Sequence, residues 1–503
     1  AAGNTVTSST ITVTVSNAAD TQAPTTPTSL TATAVSSSQI NLAWNASTDN
    51  VAVTGYKIFR NTTQIATATT NTFQDTGLAA STTYAYTVSA YDAANNNSTQ
   101  STSASAATQA AGTGNNYYVS PTGNDANPGT LASPWKTLAK AGNTATAGQT
   151  VYVRAGTYNE ALRPANSGTA GNLITFKAYP GDECKGAFGG TKTNCQVVLD
   201  GQRTSNIAVD LSLSNYVRID GFEIRNFLWN AVYARGWYDS ANPANGIEVV
   251  NNFIHDNGGN ILGGDGTHII SFLSTKNSLV ENNEIWRNSG TAIQVGSIDN
   301  LSADGVTIRG NNIHYNGKDG VRGNGRNMLI EYNTMYDQFH TDTHQDALDL
   351  AGSNYNIVIR YNTISDFTQL IYLPLHDEPN LTLENIEIYG NILYTNRYWT
   401  VRGGEAPGIF IDSGTQATSS ARNIRIHSNT FAWLGYSAIM LYNQVSGVTI
   451  RNNIFYQSGI DIPSSIPNVT SNYNLFYTQP NAPVGPGSET AVPYQNEGPN
   501  SLR

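Results

Sequence analysis

Four short stretches decide the fold: Val280-Glu-Asn-Asn-Glu-Ile285, Ile308-Arg-Gly-Asn-Asn-Ile313, Ile330-Glu-Tyr-Asn-Thr-Met335 and Ile359-Arg-Tyr-Asn-Thr-Ile364. Each reads apolar–x–x–Asn–x–apolar. The same form recurs at Val249–Ile254, Ile388–Leu393, Ile426–Phe431 and Ile450–Phe455. The shared residues are Asn252, Asn283, Asn311, Asn333, Asn362, Asn391, Asn429 and Asn453, with separations of 31, 28, 22, 29, 29, 38 and 24 residues. Ile219–Ile224 is a degenerate copy with Phe222 in the Asn place. A period in this range marks stacked repeats that bury one continuous core. The apolar positions point inward. Asparagine suits a tight turn, because it enters the left-handed region and bonds nearby backbone. Stacked asparagines would form a ladder, so they are read as structural. Leucine-rich repeats are excluded, since neither abundant Leu nor a helix per repeat occurs.

A second short strand follows each Asn turn, as in Ala292-Ile-Gln-Val295, Gly320-Val-Arg322, Ala347-Leu-Asp-Leu350, Leu370-Ile-Tyr-Leu373 and Gly408-Ile-Phe-Ile-Asp412. With Ile293, Val321, Leu348, Ile371, Ile409 and Ile439 inward, strand alternation puts Gln294, Arg322, Asp349, Tyr372, Phe410 and Met440 outward. Upstream, Asn116–Asp125 and Pro134-Trp-Lys-Thr-Leu-Ala-Lys-Ala141 resemble the opening of secreted right-handed β-helix proteins, where a strand and a short amphipathic helix cap the solenoid end. The portion from about 116 to 480 is similar to the pectate-lyase-like superfamily of carbohydrate-active proteins. That resemblance implies a fold shared by lyases, hydrolases, epimerases and non-enzymes, so function must be argued from the site.

The N-terminal region differs. Ile40-Asn-Leu-Ala-Trp44, Gly55-Tyr-Lys-Ile-Phe-Arg60, Leu78 before Tyr84, and Tyr84–Tyr91 resemble a fibronectin type III module with its core tryptophan and tyrosine corner. Residues 1–17, with Ile11, Val13 and Val15 alternating with threonines, resemble the last strand of a bacterial immunoglobulin-like domain. Two accounts fit: a fragment of a longer protein, or a strand that completes a neighbouring molecule and so drives self-association. The expected organisation is a partial Ig-like strand and linker (1–20), a fibronectin-like module (21–108), a linker (109–115), the β-helix (116–485) and a tail (486–503). The fold class is all-β, a right-handed parallel β-helix solenoid with an N-terminal fibronectin-type-III-like β-sandwich.

Charged residues are only 12% of the chain and the net charge is −10. Average domains carry about 25%. The acidic balance argues against a nucleic-acid partner, which needs a basic face. No apolar run reaches membrane-spanning length, and no signal peptide opens the chain, so export implies one already removed. Cys184 and Cys195 bracket a loop with three glycines and are read as a stapling disulfide, with two free thiols as the alternative. The composition suits a secreted, extracellular or cell-surface protein.

Against this charge-poor background, Phe339-His-Thr-Asp-Thr-His-Gln-Asp-Ala-Leu-Asp-Leu350 is dense in ionisable groups. Lys318, Asp319 and Arg322 lie one repeat earlier, and His376, Asp377 and Glu378 one repeat later, followed by Arg402, Glu405 and Asp412. Charge gathered on adjacent rungs marks a site. The expected catalytic set is Lys318, Arg322, His344, Asp346 and Asp349. Gln294, Tyr372, His376, Arg402 and Glu405 are the substrate-binding candidates. Calcium is the cofactor such carboxylates suit, with Asp342, Asp377 and Glu378 as candidate ligands. Alternating His340, Asp342, His344 and Asp346 form another metal-ligand pattern. His255 and His314 are read as turn residues without function. Some lyases and alginate epimerases on this fold carry Asp-Pro-His-Asp; Asp342-Thr-His344-Gln-Asp346 differs in spacing and lacks the proline, so no role transfers. In a lyase, Lys318, Arg322 or His344 would remove the proton α to a uronate carboxylate. In a hydrolase, Asp346 and Asp349 would face Asp377 or Glu405 across the glycosidic bond. The expected partner is a polysaccharide, with the lyase ahead of the hydrolase. The rival is a non-catalytic adhesin or filament-forming surface protein.

Overall fold

The computed structural model describes residues 20–34, 39–79, 81–108, 116–236, 243–259, 267–296, 303–337, 345–375, 379–395, 407–412, 418–434, 437–443, 445–463 and 466–477. The expected strand at 1–17 lies outside them. The chain divides into two compact units, Ala1–Thr113 and Gly114–Arg503.

The first unit is a two-sheet sandwich. Strands Thr28–Ala34, Gln39–Asn45 and Thr72–Thr76 form one sheet; Val53–Arg60, Thr63–Ala68, Thr83–Asp92 and Ala104–Ala107 form the other. Alternation along Gln39–Asn45 buries Ile40, Leu42 and Trp44 against Tyr56, Ile58 and Val88. The Tyr84 hydroxyl accepts a hydrogen bond from the Ala79 amide at 3.0 Å, which is the expected tyrosine corner.

The second unit is a parallel coil with one core. Its only α-helix among the described residues is Leu138–Thr144. The helix starts four residues later than Pro134, because Asp125 accepts the Lys136 and Thr137 amides and holds that stretch extended. The Thr137 side chain caps the helix by accepting from the Lys140 amide. Leu138 and Ala141 are buried and close the end of the core.

Each rung adds a strand to three parallel sheets. One begins at Gly156–Tyr158 and ends at Leu475–Tyr477 after twelve strands. One begins at Ile207–Asp210 and ends at Ile460–Asp461 after ten. The third includes Ile174–Ala178, Val217–Asp220, Asn354–Arg360 and Thr382–Tyr389. Pairing is in register, so Ile254, Ile285, Ile313 and Met335 stack on successive rungs.

The repeat asparagines form a buried ladder. Asn333 donates through Nδ2 to the Ile308 carbonyl and to Asn362 Oδ1, both at 2.9 Å. Its own Oδ1 accepts the Asn311 amide at 3.0 Å. The ladder ends on the Phe222 amide at one side and gains a further member, Asn474, at the other. A second buried ladder, Asn257–Asn288–Asn316, runs five residues downstream of the first. The repeat asparagines are not the left-handed residues of the turn. That role falls to the residue before each, including Tyr332 at φ 56°, Tyr361 at φ 56° and Gly390 at φ 67°. The ladder's hydrogen bonds fix the turn, and whichever residue precedes must bend.

Candidate functional site

The ten-stranded sheet presents the expected outward column. Gln294 pairs in register with Arg322, Arg322 with Asp349, Asp349 with Tyr372, and Tyr372 with Phe410. The inward partners Ile293, Val321, Leu348, Ile371 and Ile409 are all buried. Successive rungs therefore stack one side chain on the next, and a polar middle gives way to an aromatic stretch. The Tyr372 and Phe410 rings stack 5.2 Å apart at 19°. Ser271 Oγ donates to Gln294 Oε1 at 3.4 Å.

The charged centre is built from two rungs. Asp319 sits two residues before inward Val321, and Asp346 two residues before inward Leu348. Because Val321 pairs with Leu348, Asp319 and Asp346 occupy the same place on neighbouring rungs. Asp319 Oδ1 accepts the Asp346 amide at 3.1 Å, and its Oδ2 accepts the Thr291 hydroxyl at 3.4 Å. Asp349 reaches the same point from the outward column. One oxygen from each of Asp319, Asp346 and Asp349 lies within 4.8 Å of one from each of the others, and all three residues are buried. Arg322 is their counter-charge, with Nε 3.3 Å from Asp349 and Nη1 3.6 Å from Asp319. Buried carboxylates held this close together are the donor set that a hard cation takes. On the next rung Gln369 aligns with Asp346 and is 7% exposed. Its Oε1 has no hydrogen-bond partner among the described residues.

The structure thus brings together Arg322, Asp346 and Asp349, with Gln294 and Tyr372 on the rungs either side. Lys318 is half-buried and immediately precedes Asp319. Asp412 pairs in register with Pro374 two rungs beyond Asp349. His340, Asp342, His344, His376, Asp377, Glu378, Arg402 and Glu405 lie outside the described residues. Asp319 is absent from the expected catalytic set. Its signal was its spacing to Val321, which repeats as Asp346 to Leu348.

His255 and His314 are strand residues, not turn residues. They end Phe253–His255 and Asn312–His314, one rung either side of Trp286. His255 lies 2.7 Å from Asp256 and 3.2 Å from Glu223, and His314 3.0 Å from Glu284. Burial opposes the His255 charge, but the hydrogen bonds to Asp256 and Glu223 outweigh it and raise its pKa. These pairs belong to the twelve-stranded sheet. Cys184 and Cys195 are joined, as expected.

The fold and this charged face define the class: a right-handed parallel β-helix protein carrying a fibronectin type III domain. Two family models meet on the coil. The Pel9A-like right-handed β-helix region matches residues 117–325, and a right-handed β-helix region matches residues 297–482. The fibronectin type III domain matches residues 25–106. The chain is similar to exoglucanase B of Cellulomonas fimi, 53% identical over 91 residues, which are 18% of this chain and 8% of that protein. It is also similar to the uncharacterized protein YwoF of Bacillus subtilis, 27% identical over 404 residues, covering 73% of this chain and 81% of that one. Among solved structures, the GH136 lacto-N-biosidase of Eubacterium ramulus aligns with 72% of this chain and 68% of its own at 15% identity and a TM-score of 0.48. The chain spans 8% of the length of the first curated relatives it matches. No helix among the described residues is long and apolar enough to cross a membrane.

Proposed function

We propose that the β-helix is a secreted polysaccharide-degrading enzyme that cleaves an acidic, uronic-acid polymer by β-elimination on the outer face of the ten-stranded sheet. One observation carries the reading: Asp319, Asp346 and Asp349 converge within 4.8 Å beside Arg322. In a non-catalytic filament these side chains would scatter or be consumed in their own turns. Asp319 is partly so used, through the Asp346 amide. Asp349 reaches the cluster from the outward column, where it pairs with Arg322.

The cluster also bears on lyase against hydrolase. Carboxyl groups stand about 6.5–9.5 Å apart in an inverting hydrolase and about 5–5.5 Å apart in a retaining one, so the closeness of these three argues against inversion alone. Hard divalent cations take oxygen ligands, and the orphaned Gln369 Oε1 beside the trio fits that demand. Asp319, Asp346, Asp349 and Gln369 would hold calcium. Bound there, calcium would neutralise a uronate carboxylate and make its α-proton more acidic. Arg322, held between two carboxylates, is a poor base; it orients them and adds positive charge for an anionic sugar. Lys318, next to Asp319 in the chain, is the amine suited to take the proton, with His344 as the alternative. The Tyr372–Phe410 stack offers apolar surface for a sugar ring, and Gln294 offers a hydrogen bond on the opposite side.

The test incubates the chain with uronic-acid and neutral polysaccharides, with calcium or a chelator. Ultraviolet absorbance of unsaturated products and new reducing ends are followed together. Both rising, with loss in Asp346→Asn and Asp349→Asn, supports the lyase. Reducing ends without absorbance would sink β-elimination and assign the carboxylates to hydrolysis. Silence across the panel, with no binding, would favour the adhesive reading.

A further inference from the structure

The fibronectin module contains three carboxylates that the β-helix chemistry does not use. Asp20 precedes the first strand. Asp49 lies between Gln39–Asn45 and Val53–Arg60. Asp92 ends Thr83–Asp92. One oxygen from each lies within 4.8 Å of one from each of the others. No lysine or arginine forms an ion pair with any of them among the described residues.

Their known partners are neutral donors. Asp20 accepts the Gln22 amide at 3.0 Å and Asn50 Nδ2 at 3.1 Å. Asp92 accepts the Asn96 amide at 2.8 Å and Asn96 Nδ2 at 2.7 Å. Asp49 uses only Oδ2, which accepts the Val51 amide at 3.0 Å and the Ala52 amide at 3.1 Å. Its Oδ1 is shut off from solvent and has no hydrogen-bond partner among the described residues. An anionic oxygen deprived of both water and donors is among the least tolerable groups in a folded protein. Asp92, beside it, is 2% exposed. The loops are thus held in place by amides, while Asp49 keeps one buried oxygen without a hydrogen-bond partner, in a group of three carboxylates with no lysine or arginine ion pair among the described residues.

We propose that Asp20, Asp49 and Asp92 bind a calcium-class divalent cation, with Asp49 Oδ1 as a direct ligand. Calcium takes six to eight oxygens in flexible geometry, so waters can complete three carboxylates at a partly open rim. Magnesium demands a tighter octahedron and sheds water reluctantly, so it competes poorly. The cation would tie the segment entering the module to two loops far apart in sequence. Asn96 already begins that tie, donating through Nδ2 to the Asp20 carbonyl at 3.0 Å. This inference is independent of the proposed enzyme activity.

The β-helix holds its own carboxylate trio, so the experiment separates the two. The full chain carrying Asp346→Asn and Asp349→Asn is stripped with chelator and titrated calorimetrically with calcium chloride. Expected is one remaining site with a dissociation constant of about 10⁻⁴–10⁻³ M, the range of extracellular modules. Adding Asp49→Asn should weaken it at least about tenfold, since Asn keeps an acceptor for Val51 and Ala52 but loses the charge. Near-ultraviolet dichroism of Trp44 checks that this variant is folded. Asp20→Asn, in the segment before the first strand, gives the same readout if Asp49→Asn unfolds the module. No calcium uptake by the β-helix double variant up to about 10 mM overturns the proposal. So does unchanged uptake when both Asp49 and Asp20 are replaced.

Discussion

A buried asparagine ladder through Asn333 and an exposed one through Asn356 allow the coil's stabilising interactions to be weighed against each other. Asn333 is 1% exposed and makes four side-chain hydrogen bonds. Asn333→Ala leaves the Asn311 amide without its acceptor in a dry interior. Leaving one buried group unpaired costs about 1–3 kcal/mol. The other three bonds join groups that keep further partners: Asn311 Nδ2 retains the Val280 carbonyl, and Asn362 Oδ1 retains the Asn333 amide. Each of those losses costs about 0.5–1.5 kcal/mol, so the variant should lose about 2.5–7.5 kcal/mol in all. The control is Asn356, on an exposed ladder with bonds of 2.9 Å to Asn327 and from Asn385. Asn356 has φ 57°, so the fair substitution is Gly, which tolerates that conformation. Water replaces its partners, and the loss should stay within about 1 kcal/mol. Urea unfolding followed by far-ultraviolet dichroism measures both, provided the slopes agree with the parent's. If the two variants lie within about 1 kcal/mol of each other, burial of the ladder is not what holds the rungs.

Four further outcomes follow from named contacts. Arg322→Ala should reduce turnover at least about a hundredfold, since it removes the positive charge aimed at the carboxylate trio; a variant with parental activity and binding refutes that role. Asp349→Asn should lose calcium-dependent activity while melting within a few degrees of the parent, and a calcium dependence that survives would place the cation elsewhere. For His255, whose folded pKa is raised from 6.5, the stabilising contribution is complete below that value and fades as pH rises through the folded value. Asp256, lowered from 3.8 to about 2, contributes above 3.8 and loses its contribution as pH falls toward 2. His255→Asn should therefore flatten the fall in melting temperature on the alkaline side of 6.5, and an unchanged profile would show the imidazole is not its source. Replacing Cys184 and Cys195 by serine opens a loop closed over 11 residues, a cost of about 3 kcal/mol in the chain-entropy account. The loop also docks far down the coil, with Gly189 and Lys192 donating to Asn282, so amide exchange at residue 189 should rise in the same variant.

What was legible in the sequence follows from what the coil repeats. A stacked asparagine must be flanked by inward apolar residues on every rung, so the first ladder was visible as a pattern. Asn474 was not, because Ser471 replaces the apolar residue that should precede it, although Phe476 still follows. The second ladder runs through only Asn257, Asn288 and Asn316, each three past an isoleucine but with Gly259, Gly290 or Lys318 where the apolar residue should follow, so the frame was only half present. Assigning the left-handed turn to asparagine followed residue preference. The coil overrules preference, placing even Tyr332 and Tyr361 there.

Register explains both the success and the omission at the site. One assumption of parity, Val321 inward, correctly placed Gln294, Arg322, Asp349, Tyr372 and Phe410 on one line. The same register aligns Asp319 with Asp346 across 27 residues. Asp319 precedes the second strand, so a reading confined to outward strand positions passes over it. Asp346 was singled out for its charged neighbours, whereas the structure selects it for its rung. A coil therefore gathers a site from residues that share a phase in the repeat. The charges in the long insertions, such as that between Asn391 and Asn429, have no phase to share. Arg402 and Glu405 there lie outside the described residues, and only the in-phase part of the site could be read in advance.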